Sequence, residues 1–252
     1  MDPVAVSRWR RLTRAVVYAV VVAVPLGMLA FLVRTQFDPL VRFDRDVIGA
    51  ATGYTRDHPG FRSSVETWEA ISQPFVMYLL LGLPVSLYVW FGKHLRTRAW
   101  WALATMAAGW GIAALLKLLV RRARPEIDDP IAQHAGFSFP SGHATNNAIV
   151  VTVVLVMLWP LLATGLRRLL VGVGAAWVVV TCVDRLFAGA HFPSDVIAGV
   201  MLGCGLTAAS YAGYQGWSPP TPTPDPRKAH TDGVPHPLAG RHDPTHREAG
   251  GP

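Results

Sequence analysis

Three short polar stretches interrupt a largely apolar chain, and their residue types suit chemistry on an anion. In KLLVRRARP, Lys117 and Arg124 lie seven apart; on a helix they would share a face about two turns, ~10 Å, along the axis. PSGHATNN offers Ser141 as a helix N-cap with Gly142 and His143 in the first turn. Free N–H groups and the positive end of the helix dipole favour an anion there, and Gly142 permits close backbone approach. DRLFAGAHFPSDVIAG sets His191 four residues before Asp195, a spacing that lets a carboxylate orient and charge-stabilise an imidazole. Arg185 adds another cation. Each stretch has a bland counterpart: basic side chains snorkelling to lipid phosphates, a plain cap with an interfacial histidine, and a chance His–Asp pair. For Arg121 and Arg122 snorkelling is the reading taken.

The elements that must position these residues follow from composition. Of 252 residues, 51% are hydrophobic and only 15% charged, well below the usual quarter of soluble domains. The apolar residues cluster in six runs: Ala15–Val33, Pro74–Phe91, Ala99–Val120, Ala144–Leu162, Leu169–Phe187 and Val196–Tyr214. Each is near the ~20 residues that cross a ~30 Å hydrocarbon core as a helix, the form in which the backbone satisfies its own polar groups. The expected fold is therefore all-α, an integral membrane bundle of six spans. The first run follows a basic SRWRRLTR but has no Ala-x-Ala pattern near Met28–Val33, so it reads as an uncleaved anchor. Residues 1–14 form a basic cytoplasmic segment, 15–216 the six-span domain, and 217–252 a Pro-rich tail expected to be disordered.

Lysine and arginine in short loops set the orientation. Arg8, Arg10, Arg11 and Arg14, then Lys93, Arg96 and Arg98, then Arg167 and Arg168, belong on the cytoplasmic side with both termini. The opposite loops mix signs: Asp38, Asp44, Asp46, Asp57, Glu66 and Glu69 in the first, and Glu126, Asp128 and Asp129 after Arg124. All three polar stretches then fall on the outer face of a cell membrane. Lys117, Arg124, Arg185, Ser141, Gly142, His143 and His191 would gather there as a receptor for a tetrahedral dianion such as phosphate. The net charge of +7 comes largely from the cytoplasmic bias, and no nucleic-acid motif is present.

In the first outer loop, Arg34 to Ser72, Asp38 is the expected N-cap, Pro39 the first helical residue and Gly53 the stop. Leu40, Val41, Phe43, Val47 and Ile48 lie broadly on one side, as in a helix resting in the interface; a substrate role and a plain surface role both stay open. Cys182 and Cys204 read as small buried residues, and no Cys/His spacing suggests a metal site.

K-x6-RP (Lys117, Arg124, Pro125), PSGH (Pro140–His143) and R-x5-H-x3-D (Arg185, His191, Asp195) resemble the signature of the type-2 phosphatidic acid phosphatase / vanadium haloperoxidase superfamily. Six spans with a long first outer loop are similar to its bacterial membrane lipid phosphatases. The resemblance implies His191 as nucleophile, forming a phosphohistidine, with Asp195 holding its tautomer and charge and His143 as general acid. Lys117, Arg124, Arg185, Ser141 and the Gly142 amide would bind the phosphate oxygens, with no metal and no cofactor. The implied substrate is a lipid phosphate or diphosphate in the outer leaflet: undecaprenyl diphosphate, phosphatidylglycerol phosphate or phosphatidate. A non-catalytic lipid-phosphate binder or transporter and a vanadate-dependent haloperoxidase are the alternatives. The family usually has Ser where this chain has Asp184; a carboxylate facing phosphate opposes binding, so Asp184 is expected to turn away and pair with Arg185 or another arginine. Asn146 and Asn147 are expected to line a wet pocket one turn below the site.

Overall fold

A computed structural model of the chain describes residues 3–127 and 135–217, apart from the side chains of 3–8, 11, 216 and 217. The expected tail from Ser218 onward, Asp128 and Asp129, and the side chains of Arg8 and Arg11 lie outside the described residues. Among the described residues eight helices longer than one turn run in order: α1 Pro3–Arg34, α2 Asp38–Asp57, α3 Pro59–Ile71, α4 Pro74–Gly92, α5 Arg96–Val120, α6 Gly142–Leu158, α7 Thr164–Phe187 and α8 Pro193–Trp217. Six of them are long and apolar enough to cross a membrane, and they coincide within a few residues with the six apolar runs. Phe31, Leu80, Leu118 and Val173 are more than half exposed, as side chains solvated by lipid can be. α1 runs unbroken through the basic segment. α4 contains Pro84, which has no N–H to close the preceding turn, and the helix widens into π turns at Tyr78–Gly82 and Tyr88–Gly92.

α6 is the central helix, 56% buried along its span where no other span exceeds 39%. It packs against α5, α7 and α8, and α8 in turn against α1. Two glycines four apart on α8 let its backbone approach that of α6. A Cβ on Gly203 would stand 2.7 Å from Thr145 O and from Ala148 Cβ, and one on Gly199 would stand 2.9 Å from Ser141 O. Only without side chains can the two backbones lie this close, which is how small residues four apart join membrane helices. The approach brings the N-termini of α6 and α8 together, so that Ser141 N donates to Asp195 O at 2.9 Å.

Polar clamps on α6 secure its other neighbours. Asn147 Nδ2 donates to Ser72 O (2.8 Å) and His143 O (2.9 Å), while its Oδ1 accepts from Trp177 Nε1 on α7 (2.6 Å). Asn146 Oδ1 accepts from Tyr78 OH on α4 (2.8 Å), and its Nδ2 donates to Gly142 O (2.8 Å). Neither asparagine lines a wet pocket; both are buried and satisfied by protein partners, as buried amides require.

The first loop holds two helices rather than one. Gly53 does not stop α2, because an interior glycine only weakens a helix by about 1 kcal/mol; α2 runs on to Asp57, where Pro59 opens α3. Phe37, not Asp38, is the N-cap, and no side chain caps it. The buried face of α2 is Asp44, Ile48, Ala51, Thr52 and Thr55, with Phe43 left exposed. This face packs on α7 and α8, and Thr55 Oγ1 donates to Phe187 O at 2.9 Å.

α5 ends at Val120, where the apolar run ends, and does not carry on to Arg124. Arg121 is left-handed (φ 52°), its N donates to Lys117 O at 3.0 Å, and residues 121–127 leave the helix. Pro125 bars helical geometry at Arg124, so Lys117 and Arg124 do not share a helix face. The cysteines also differ from expectation: Cys182 is half-buried and Cys204 exposed on the bundle surface, where lipid accepts a thiol as readily as a protein core does.

Gly203→Val is expected to wedge α6 from α8 and lower stability by about 1–3 kcal/mol, as overpacking does. Melting in detergent checks it, with Gly111→Ala, where a Cβ meets nothing within 4 Å, expected to melt like the parent.

Candidate active site

His191 sits in the turn between α7 and α8, where Gly189 (φ 68°) reverses the chain and Ala190 N donates to Arg185 O at 3.1 Å. The ring is buried. Its Nε2 faces Arg124 Nη1 at 3.4 Å; its Nδ1 faces Ser138 Oγ at 3.3 Å and Asp195 Oδ2 at 3.7 Å. A guanidinium only donates, so Nε2 is the acceptor and the ring proton belongs on Nδ1. Ser138 Oγ accepts from that side and donates its own hydrogen bond to Asp195 Oδ2. Burial pulls the His191 pKa down to about 4, Asp195 opposes this, and Arg124 and Lys117 reinforce it. At neutral pH the imidazole is therefore uncharged, with the Nε2 lone pair turned toward a cation.

Asp195, fully buried in the first turn of α8, is saturated by other donors: Arg122 Nη1 on Oδ1 (2.7 Å), Phe192 N on Oδ2 (2.9 Å), and Ser138. Arg122 does not snorkel. It is 8% exposed, lies over the Phe192 ring at 4.1 Å, and bridges Asp195 to Asp44 of α2 through Nη2–Oδ2 at 2.6 Å. Ser194 closes the network, accepting from Arg122 Nη1 at 2.6 Å and donating to Asp44 from N (3.0 Å) and Oγ (2.5 Å). Once the helix ends at Val120, the arginine two before Arg124 turns inward, because two buried carboxylates need a cation. Sequence reading missed Arg122, Asp44, Ser138 and Ser194. One signal was there: Asp44 stands on the helical face of Ile48, Ala51 and Thr55, and a charge on a buried face requires a partner.

The remaining candidates surround this relay. Lys117 is half-buried, its Nζ donating to Phe137 O at 2.8 Å and its stem beside Gly142. Arg124 donates to Ala190 O (2.9 Å) and Gly136 O (3.2 Å). Burial lowers the Arg124 pKa and Arg185 adds to that, while Asp195 and Glu69 oppose it. Gly142 and His143 are half-exposed in the first turn of α6. Ser141 is fully buried, its Oγ capping α6 by accepting from Ala144 N at 3.4 Å. Arg185 is also fully buried; Nε and Nη2 reach Asp184 Oδ2, the first at 3.0 Å, and Nη1 lies 3.3 Å from Glu69 Oε1 of α3. Asp184 thus turns to Arg185, as the charge argument required. Among the described residues no cluster of three His, Cys, Asp or Glu stands ready for a metal ion.

The profile of the PAP2 superfamily matches residues 98–218. The decaprenylphosphoryl-5-phosphoribose phosphatase of Mycobacterium tuberculosis is 31% identical over 161 residues, covering 60% of this chain and 80% of that protein. The chain belongs to the PAP2 superfamily. Phosphatidylglycerophosphatase B of Bacillus subtilis is 36% identical over 92 residues (35% of this chain, 44% of that protein). A lipid A 1-phosphatase of Rhizobium etli is 36% identical over 140 residues (50% and 53%). The chain thus spans about half the length of these two relatives. The crystal structure of a transmembrane PAP2-type phosphatidylglycerolphosphate phosphatase from Bacillus subtilis shares the fold at 21% identity, with a TM-score of 0.64 over 77% of this chain and 96% of that one. Lys117, the PSGH stretch, Arg185, His191 and Asp195 all fall within the matched PAP2 segment.

Replacing Arg122 by Met leaves Asp44 and Asp195 buried without their shared cation, an expected loss of about 3–5 kcal/mol. Arg121→Met, at the exposed neighbour, is expected to leave melting nearly unchanged. Equal melting of the two variants would contradict the buried placement of Arg122.

Proposed function

We propose that the protein is a metal-independent membrane phosphatase that hydrolyses a lipid phosphate through a phosphohistidine on His191. The observation that carries this reading is the His191 ring itself, uncharged, with Nε2 directed at Arg124 and Nδ1 backed by Ser138 and Asp195. The Nε2 lone pair attacks phosphorus as the bond from phosphorus to the lipid oxygen breaks, and His143 gives its proton to the departing alkoxide. The ring becomes cationic at that moment, and Asp195 stabilises it. Lys117, Arg124 and the Gly142 amide hold the equatorial oxygens where charge builds. Arg185, already paired with Asp184 and Glu69, adds positive charge to the pocket, and Ser141 keeps Gly142 in register. Water then attacks the phosphoenzyme, giving a proton to His143; the P–N bond breaks and His191 is restored.

The phosphatase names of the relatives support this class, and the six apolar helices support a substrate drawn from lipid. The distribution of Lys and Arg supports cytoplasmic termini and a site at the outer leaflet of the cell membrane. Phosphatidylglycerol phosphate, phosphatidate and undecaprenyl diphosphate are the substrates to try first.

Purified protein is expected to release phosphate from at least one of these lipids in EDTA. His191→Ala should abolish release and His143→Ala slow it by about 10²-fold or more. Release unaffected by His191→Ala would sink the mechanism. The pH profile supplies a second check. Protonating Nε2 removes the nucleophile, so with a pKa of about 4 for His191 the protein's own acid limb in kcat/KM lies near pH 4, below the ordinary imidazole range. An acid limb near pH 6.5 that survives correction for the substrate's ionisation would contradict the burial of His191.

A further inference from the structure

Asp44 ties α2 to the catalytic turn, and the next residue, Arg45, stands on a fixed element. Arg45 lines a cavity of about 480 Å³ between α2 and residues 122–127, within the size range of small-ligand sites. Gln36 and Gly49 border it on one side, Arg124, Glu126 and Phe192 on the other. Three features give it the character of a binding site. Arg45 makes no ion pair among the described residues, whereas Arg122 beside it is offset by Asp44 and Asp195. Arg124 is a shared wall: its Nη1 faces His191, and the same side chain lines the cavity. Gly49 leaves the cavity open, since a Cβ there would meet nothing within 4 Å.

We propose that this cavity is a headgroup subsite that selects lipids carrying a second acidic group between the scissile phosphate and the lipid chain, namely a polyol phosphate joined through a phosphodiester. The inference rests on the phosphatase reading of the His191 site. With the scissile phosphate at Nε2 and Arg124, a headgroup reaching past Arg124 meets Arg45, the second cation of the cavity that makes no ion pair among the described residues. Its hydroxyls meet Gln36 and Glu126. A phosphate esterified directly to diacylglycerol has nothing to place there. The Glu126 carboxylate repels a bare anion, which favours an acidic group accompanied by hydroxyls over a free phosphate.

The test compares dioleoyl phosphatidylglycerol phosphate with dioleoyl phosphatidate in the same detergent, using the parent, Arg45→Gln and Gly49→Leu. Arg45→Gln is expected to lower kcat/KM for the first lipid about tenfold, the loss of one charge-assisted hydrogen bond, through KM and with phosphatidate changed less than twofold. Gly49→Leu replaces an interior glycine by a better helix former, so it should melt no lower than the parent while showing the same selective loss. Equal losses for both lipids, or no loss for either, overturn the subsite. So does relief of inorganic-phosphate inhibition by Arg45→Gln with phosphatidate as substrate, because the cavity would then hold a free anion. If the parent hydrolyses phosphatidate in a His191-dependent way and the variants do not separate the lipids, only the subsite fails. If the parent hydrolyses undecaprenyl diphosphate but neither of these two lipids, the subsite alone is overturned; if it hydrolyses none of the three, the phosphatase reading fails and the subsite with it.

Discussion

Two buried carboxylates, Asp44 and Asp195, share the single guanidinium of Arg122, and the arrangement of the site depends on that sharing. A buried charge without a partner is too costly to persist, so the three groups fix one another's positions. Asp195 belongs to the first turn of α8, Arg122 to the segment after α5, and Asp44 to α2. One ion cluster therefore ties three parts of the chain at a single point, directly beneath His191. Because Arg122 and the Phe192 amide occupy Asp195, the carboxylate cannot swing away, and Ser138 and the imidazole meet an acceptor already in place.

The first loop between spans acts as more than a connector. α2 contributes Asp44 to Arg122, and α3 contributes Glu69 to Arg185. Each short helix thus delivers a carboxylate to an arginine at the ends of the spanning helices. Lys117 and Arg124 donate instead to backbone carbonyls, Phe137 O and Ala190 O, and make no ion pair among the described residues. Asp184 fits the same division: it joins Glu69 in offsetting Arg185, making that residue a buried strut and leaving Arg124 to face His191.

Beneath the site, the packing of α6 and α8 explains how two polar helix ends stay aligned inside an apolar bundle. Gly199 and Gly203 let the backbones touch, the Ser141 amide is spent on Asp195 O, and Asn146 and Asn147 anchor α6 to α4 and α7. The helix end left facing outward is the Gly142–His143 turn. Dispersion and hydrogen bonding hold it there, since apolar surface facing lipid supplies no hydrophobic drive between helices.

The candidate site residues were legible in the chain because their demands are local. Six apolar runs of about 20 residues determine six helices, since a run of that length crosses lipid as a helix that pairs its own backbone polar groups. Ser141 before Gly142 and His143 determines a capped helix start, and His191 four before Asp195 determines a paired imidazole and carboxylate. The supporting charges were not legible. Arg122 looked like any basic residue at a span end, Asp44 like any acid in a polar loop, and Arg124 seemed to continue a helix that in fact stops at Val120. Which of several nearby arginines is buried, and which carboxylate meets it, depends on where α2 and α3 settle on the bundle. That is decided by desolvation, which acts only when distant segments close over a charge, and only the tertiary structure shows where they do.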